Sequence, residues 1–94
     1  MRLYKEQVQL LKNKLYSISE DAKIYLFGSR VDDTKKGGDI DLLIISDKLT
    51  KKDLRLIRVE FFEYFGEQKL DIVLDNGELK TPFVKHILKQ AIEL

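Results

Sequence analysis

The sequence predicts an α/β (α+β) domain: a small mixed β-sheet of about three strands with helices packed on it, in the order α-β-β-α-β-α. Three observations carry this. Apolar residues recur at helical spacing over residues 2–19, 50–65 and 82–94. Three short β-rich runs, KIYLF, DIDLLIIS and KLDIVL, lie among them. Polar stretches containing glycine separate the rest.

The first helix presents Leu3, Val8, Leu11, Leu15 and Ile18 on one face, with Lys5, Glu6, Lys12 and Lys14 between them. The strand at 23–27 stops at Gly28, and GSRVDDTKKGG (28–38) reads as a loop with room for one helical turn. The strand at 39–46 has an apolar run without solvent-type alternation, which predicts cover on both faces. In the second helix Thr50 is the N-cap, with Asp53 completing a capping box. Leu54, Ile57, Phe61, Phe62 and Phe65 form the buried side, and Gly66 is the stop. A strand at 69–74 follows, then a turn at DNGELK. Thr81 and Pro82 open a terminal helix that runs through PFVKHILKQAIEL, with Phe83, Ile87, Leu88 and Ala91 inward.

Composition narrows the chemistry. The 94 residues predict one domain, with no space for a second that would hold a second substrate. Seventeen basic and sixteen acidic residues leave a net charge of +1, which argues against bulk DNA binding. Cysteine is absent and His86 is the one histidine, so thiolate chemistry and a multi-His metal site within one chain are excluded. The charged start MRLYKEQVQ does not read as a signal peptide, and no apolar run approaches the ~20 residues that span a bilayer. The expectation is a cytoplasmic domain, off the membrane, whose chemistry uses carboxylates, hydroxyls and cations.

The informative stretch runs from Phe27-Gly28-Ser29-Arg30 to Asp39-Ile40-Asp41-Leu42-Leu43. Residues two apart on a strand share a face, roughly 6.5–7 Å between Cα atoms, so Asp39 and Asp41 project side by side. Two such carboxylates repel unless a cation lies between them, and Mg2+ prefers oxygen ligands. A D-x-D alone is common at strand ends; Gly28-Ser29 gives it weight. Gly28 lets a ligand approach the backbone, Ser29 supplies a hydroxyl and a backbone N–H, and the Arg30 fork suits phosphate. Asp71 sits in an apolar strand, KLDIVL, where a charge needs a partner or a role. If that strand lies beside 39–46, Asp71 joins Asp39 and Asp41. Three carboxylates can hold two ions ~3.5–4 Å apart, an arrangement suited to phosphoryl transfer. Asp75 is the rival, but with Asn76-Gly77 it reads as a turn residue.

Gly28-Ser29, nine intervening residues, Asp39-x-Asp41 and one Asp on the next strand together resemble the DNA polymerase β-type nucleotidyltransferase superfamily. The wording GSR…GGDIDLLI is similar to its smallest branch, the minimal nucleotidyltransferase (MNT) domains of prokaryotes, over nearly the whole chain. The resemblance implies a polymerase β-like fold and Mg2+-dependent transfer of AMP from ATP to a hydroxyl, with release of pyrophosphate. It implies that Gly28, Ser29 and Arg30 bind the nucleotide and that Asp39, Asp41 and Asp71 hold the metal and are catalytic. It further implies a partner. Minimal members often pair with a HEPN-domain toxin as its antitoxin, a type VII-like system in which AMP goes to a toxin tyrosine.

Other features weigh less. Lys35-Lys36 read as solvated loop charges, Gly37-Gly38 as a tight loop closure, and His86 as a surface or boundary residue. Phe61, Phe62, Tyr64 and Phe65 cannot all face one core, which leaves Phe62 or Tyr64 for a partner. Two alternatives to the protein adenylyltransferase remain open. One is a binding module that neutralises its partner by complex formation alone. The other transfers the nucleotide to a small molecule or an RNA end.

Overall fold

The computed structural model describes residues 3–32, 34, 38–66 and 68–94. Lys35, Lys36 and Gly37 lie outside the described residues. Helix α1 spans Lys5–Ile18 and strand β1 spans Lys23–Phe27; a single 3-10 turn, Gly28–Val31, follows. Strand β2 (Ile40–Ile45), helix α2 (Lys51–Phe65), strand β3 (Leu70–Asp75), helix α3 (Pro82–Leu88) and strand β4 (Ile92–Glu93) complete the chain.

The caps expected for α2 and α3 are present, and α1 adds one of its own. Gln7 Oε1 accepts from the Tyr4 N–H at 2.9 Å and starts α1. At α2, Asp53 Oδ2 accepts from the Thr50 N–H at 2.9 Å, and Thr50 Oγ1 accepts from the Asp53 N–H at 3.3 Å. Gly66 closes the helix by donating its N–H to the Phe62 carbonyl at 2.8 Å. Thr81 Oγ1 accepts from the Val84 N–H at 3.2 Å, with Pro82 in the first turn of α3.

The sheet order is β3-β2-β1-β4. β1 pairs antiparallel with β2 and with β4, and β2 pairs parallel with β3, so α2 is a crossover. The sheet is mixed, as expected, but has four strands. The fourth comes from the segment expected to continue the last helix. α3 stops at Leu88, and Leu94 donates its N–H to the Ile24 carbonyl at 2.9 Å. β1 needs partners along its outer edge, and Leu94 packs against the main core from there. Those two gains outweigh two more turns of helix.

β2 is covered on both faces. Ile40, Leu42 and Ile44 point to the face filled by Leu11 and Leu15 of α1 and by Leu54, Ile57 and Phe61 of α2. Leu43 points the other way, against Val84 and Ile87 of α3. With seven residues, α3 is short. It covers the Leu43 and Val73 level and leaves the level two residues earlier, Asp41 and Asp71, uncovered. Among the described residues no helix is long and apolar enough to cross a membrane.

Candidate active site

The carboxylates meet because of register. In the parallel β2–β3 ladder Asp41 lies opposite Asp71, while on its other side Asp41 lies opposite Phe27, the last residue of β1. Both carboxylates project to the α3 face, because their neighbours Ile40, Leu42, Leu70 and Ile72 belong to the other face. Asp39 precedes β2 by one residue and lies on the same side by the strand's two-residue period. The Asp39 and Asp71 side chains are about half exposed, so the site opens to solvent.

Gly28 closes the site from the β1 end. Its φ is +78°, and a Cβ placed there would collide with the Asp41 carboxylate. Only glycine lets the backbone run against that carboxylate. Ser29 and Arg30 follow in a 3-10 turn too short for an appreciable helix dipole. Gly38, on the approach to β2, passes over Ser29: a Cβ there would lie 2.6 Å from Ser29 Oγ. Arg30 donates to the Gly38 carbonyl and to Gln68 Oε1, both at 3.3 Å. Its guanidinium therefore ties the serine turn to the segments that lead into β2 and β3.

The charges are unbalanced. Burial raises the Asp41 pKa above the ordinary carboxylate value, and the negative charges of Asp71 and then Asp39 raise it further. A hydrogen bond with Asp71 acts the same way, and the Lys69 charge partly opposes them. The Lys69 ammonium lies 3.6 Å from Asp39 Oδ2 and 3.8 Å from Asp71 Oδ1. It is the counter-ion in place, on a side chain 69% exposed. Lys69 and Gln68 also belong to this site, and the sequence motifs do not single them out. The signal was present in Lys69-x-Asp71, which places both residues on one face at strand spacing.

The donor set fits a hard divalent cation: three carboxylates on one face, mutually repelling, with a cation already drawn among them. Among the described residues no group of three or more acidic or imidazole side chains forms a ready cage. An ion held by these three carboxylates would require Lys69 to swing away and the carboxylates to come closer together. Beside Gly28, a cavity of about 200 Å3 runs between Phe27 and α3, bordered by Phe83, His86 and Gln90. His86 is thus an exposed residue at the rim of this region. A larger cleft of about 380 Å3 lies at the far end of β2 and β3. It does not reach the carboxylates. Asp75, at its edge, uses Oδ2 to accept the Gly77 and Leu79 N–H groups, a turn role as expected.

No curated protein matches this chain. A family model described as a nucleotidyltransferase domain matches residues 8–94, a span that includes the serine turn, all three carboxylates and β4. Such domains generally work with divalent metal ions, in keeping with the donor set. The mixed sheet with its three helices is consistent with a polymerase β-like nucleotidyltransferase fold. With both the match and the architecture in hand, the chain belongs to the nucleotidyltransferase domain family.

Proposed function

We propose that this nucleotidyltransferase is a single minimal domain of the MNT type that moves AMP from ATP, with Mg2+, to a tyrosine hydroxyl of a HEPN-domain toxin, and so acts as its antitoxin. The observation that carries the reading is the register of β2 and β3. It sets Asp41 beside Asp71, with Asp39 one strand step away and Gly28 against Asp41. The wording of the GSR and GGDIDLLI segments supports the minimal branch.

In this reading Gly28 and Ser29 hold the β- and γ-phosphates, and Arg30 holds the turn that presents them. Asp39, Asp41 and Asp71 hold the ion, which, when bound, offsets the charge of the triphosphate and of the carboxylates. The acceptor oxygen bonds to the α-phosphorus while the bond from that phosphorus to the bridging oxygen breaks. Pyrophosphate leaves with the electron pair, and the hydroxyl proton passes to the Asp71 carboxylate. The uncovered half of the sheet face beside α3 gives a partner's side chain access to this point.

The test uses ATP labelled at the α-phosphate, Mg2+ and the product of the gene beside this one. Label should appear on the partner with wild type and not with Asp41→Asn. Transfer that survives Asp41→Asn would remove the assigned site. Neutralisation of the toxin without any transfer would replace the enzyme with a binding module.

A further inference from the structure

α2 carries a second apolar stripe on its solvent side. Leu56, Val59 and Phe62 are 46%, 49% and 49% exposed. Phe62 and Val59, with Arg58 and Glu63, line an open cavity of about 450 Å3. This side faces away from the carboxylates, because α2 packs Leu54, Ile57 and Phe61 on the opposite face of the sheet. The catalytic reading therefore makes no use of it.

Charge indicates what covers the stripe. The first half of α2, KKDLRLIR, carries four cations and one acid, and the second half, VEFFEYF, carries two acids and no cation. Cations at a helix N-terminus oppose its own dipole, so this order does not help an isolated helix. Asp53 is used by the Thr50 cap, and Glu60 pairs with Lys14 at 3.1 Å. Arg55 and Glu63 make no ion pair among the described residues. Both flank the apolar stripe.

We infer that the stripe binds a second copy of this chain, with the two α2 helices antiparallel about a two-fold axis at Val59. In that register Val59 meets its own copy, and Leu56 of each chain lies level with Phe62 of the other. Arg55 of each lies level with Glu63 of the other. Each basic half faces an acidic half, and each helix dipole opposes its neighbour. One surface satisfies itself in apolar matching and in charge, as an isologous contact requires. A helix of 15 residues is only about 22 Å long. That falls short of the ~800 Å2 per partner of a standard interface, so the dimer dissociates readily, with a constant on the order of 10–100 µM. Both carboxylate sites stay open in it.

Sedimentation velocity of the full chain between about 1 µM and 1 mM tests the inference. Monomer should give way to dimer across that range, and Val59→Lys should hold the chain monomeric. Arg55→Glu and Glu63→Arg should each weaken the dimer about tenfold, from two like-charge contacts. An equal mixture of these two variants, or both changes in one chain, should restore it. Circular dichroism matching wild type ties each effect to association rather than folding. A chain that stays monomeric to the highest concentration overturns the inference. A dimer indifferent to all these changes, or variants that fail to rescue each other, does so too.

Discussion

Asp41 and Asp71 lie side by side across the parallel β2–β3 ladder, two carboxylates in register on one face of the sheet. Burial raises the Asp41 pKa first, and the charges of Asp71 and then Asp39 raise it further. In this arrangement the fold tolerates electrostatic strain where the family's chemistry needs a cation.

That strain predicts a stability gain on removing the charge. The folded chain holds the Asp41 proton more tightly than the unfolded chain, whose value is near 3.8. Between that value and the raised folded one, the folded state binds more protons, so stability falls as pH rises, and above the folded value the loss is complete. Asp41→Asn should therefore melt above wild type at pH 7, by on the order of a few degrees. The gap should close as pH is lowered toward 3.8. Thermal melts of both proteins across pH check this. The same variant should lose nucleotidyl transfer.

Lys69 predicts how a divalent cation enters. Its ammonium holds Asp39 and Asp71 loosely, at 3.6 and 3.8 Å, from an exposed position. An exposed ion pair of this kind contributes little to stability, at most about 1 kcal/mol. Mg2+ should displace it and stabilise the chain by about 2.7 kcal/mol at a hundredfold excess over its dissociation constant. Lys69→Met should tighten Mg2+ binding several-fold by removing the competitor, while lowering the metal-free melting temperature slightly. Calorimetric titration of wild type, Lys69→Met and the Asp39→Asn/Asp41→Asn double variant separates these effects. Equal stabilisation of the double variant would place the ion elsewhere.

Much of this site was legible because its signals are local. Thr50 with Asp53, Gly66, and Thr81 with Pro82 marked helix ends that the structure keeps. The two-residue strand period put Asp39 and Asp41 on one face. What was not legible depends on contacts distant in sequence. Ala91 to Leu94 suit the apolar face of a helix that already includes Ile87 and Leu88, and only the open edge of β1 selects a strand instead. Lys69 reads as one more surface lysine until β2 and β3 are paired in register. Asp71 itself needed that pairing, which the sequence poses only as a condition.

β4 gives a stability prediction of its own. The Leu94 N–H closes the outer edge of β1 at the Ile24 carbonyl, and its side chain packs on the main core. Leu94→Pro removes the donor and most of the apolar contact together. A lost backbone bond and a partly buried leucine should cost about 2–3 kcal/mol in urea unfolding. Leu94→Ala keeps the N–H and should cost about half as much. Equal effects would mean that packing, not edge pairing, holds β4.

Gly28 and Gly66 provide a matched pair. Both have positive φ, +78° and +77°, so alanine is strained at either site whatever space surrounds it. Their surroundings differ. A Cβ at Gly66 meets nothing within 4 Å, whereas a Cβ at Gly28 runs into the Asp41 carboxylate. Gly66→Ala should lose stability and keep transfer activity in the fraction that remains folded. Gly28→Ala must push Asp41 or the serine turn aside. A displacement of about 1 Å at reacting groups can cost on the order of 100-fold in rate. Transfer by Gly28→Ala should therefore fall by about that factor at a temperature where both variants are folded. Its Mg2+ stabilisation should shrink with it, because Asp41 is the carboxylate displaced. If the two variants lose activity equally, backbone strain accounts for everything, and the close approach of Gly28 to Asp41 has no part in holding the site.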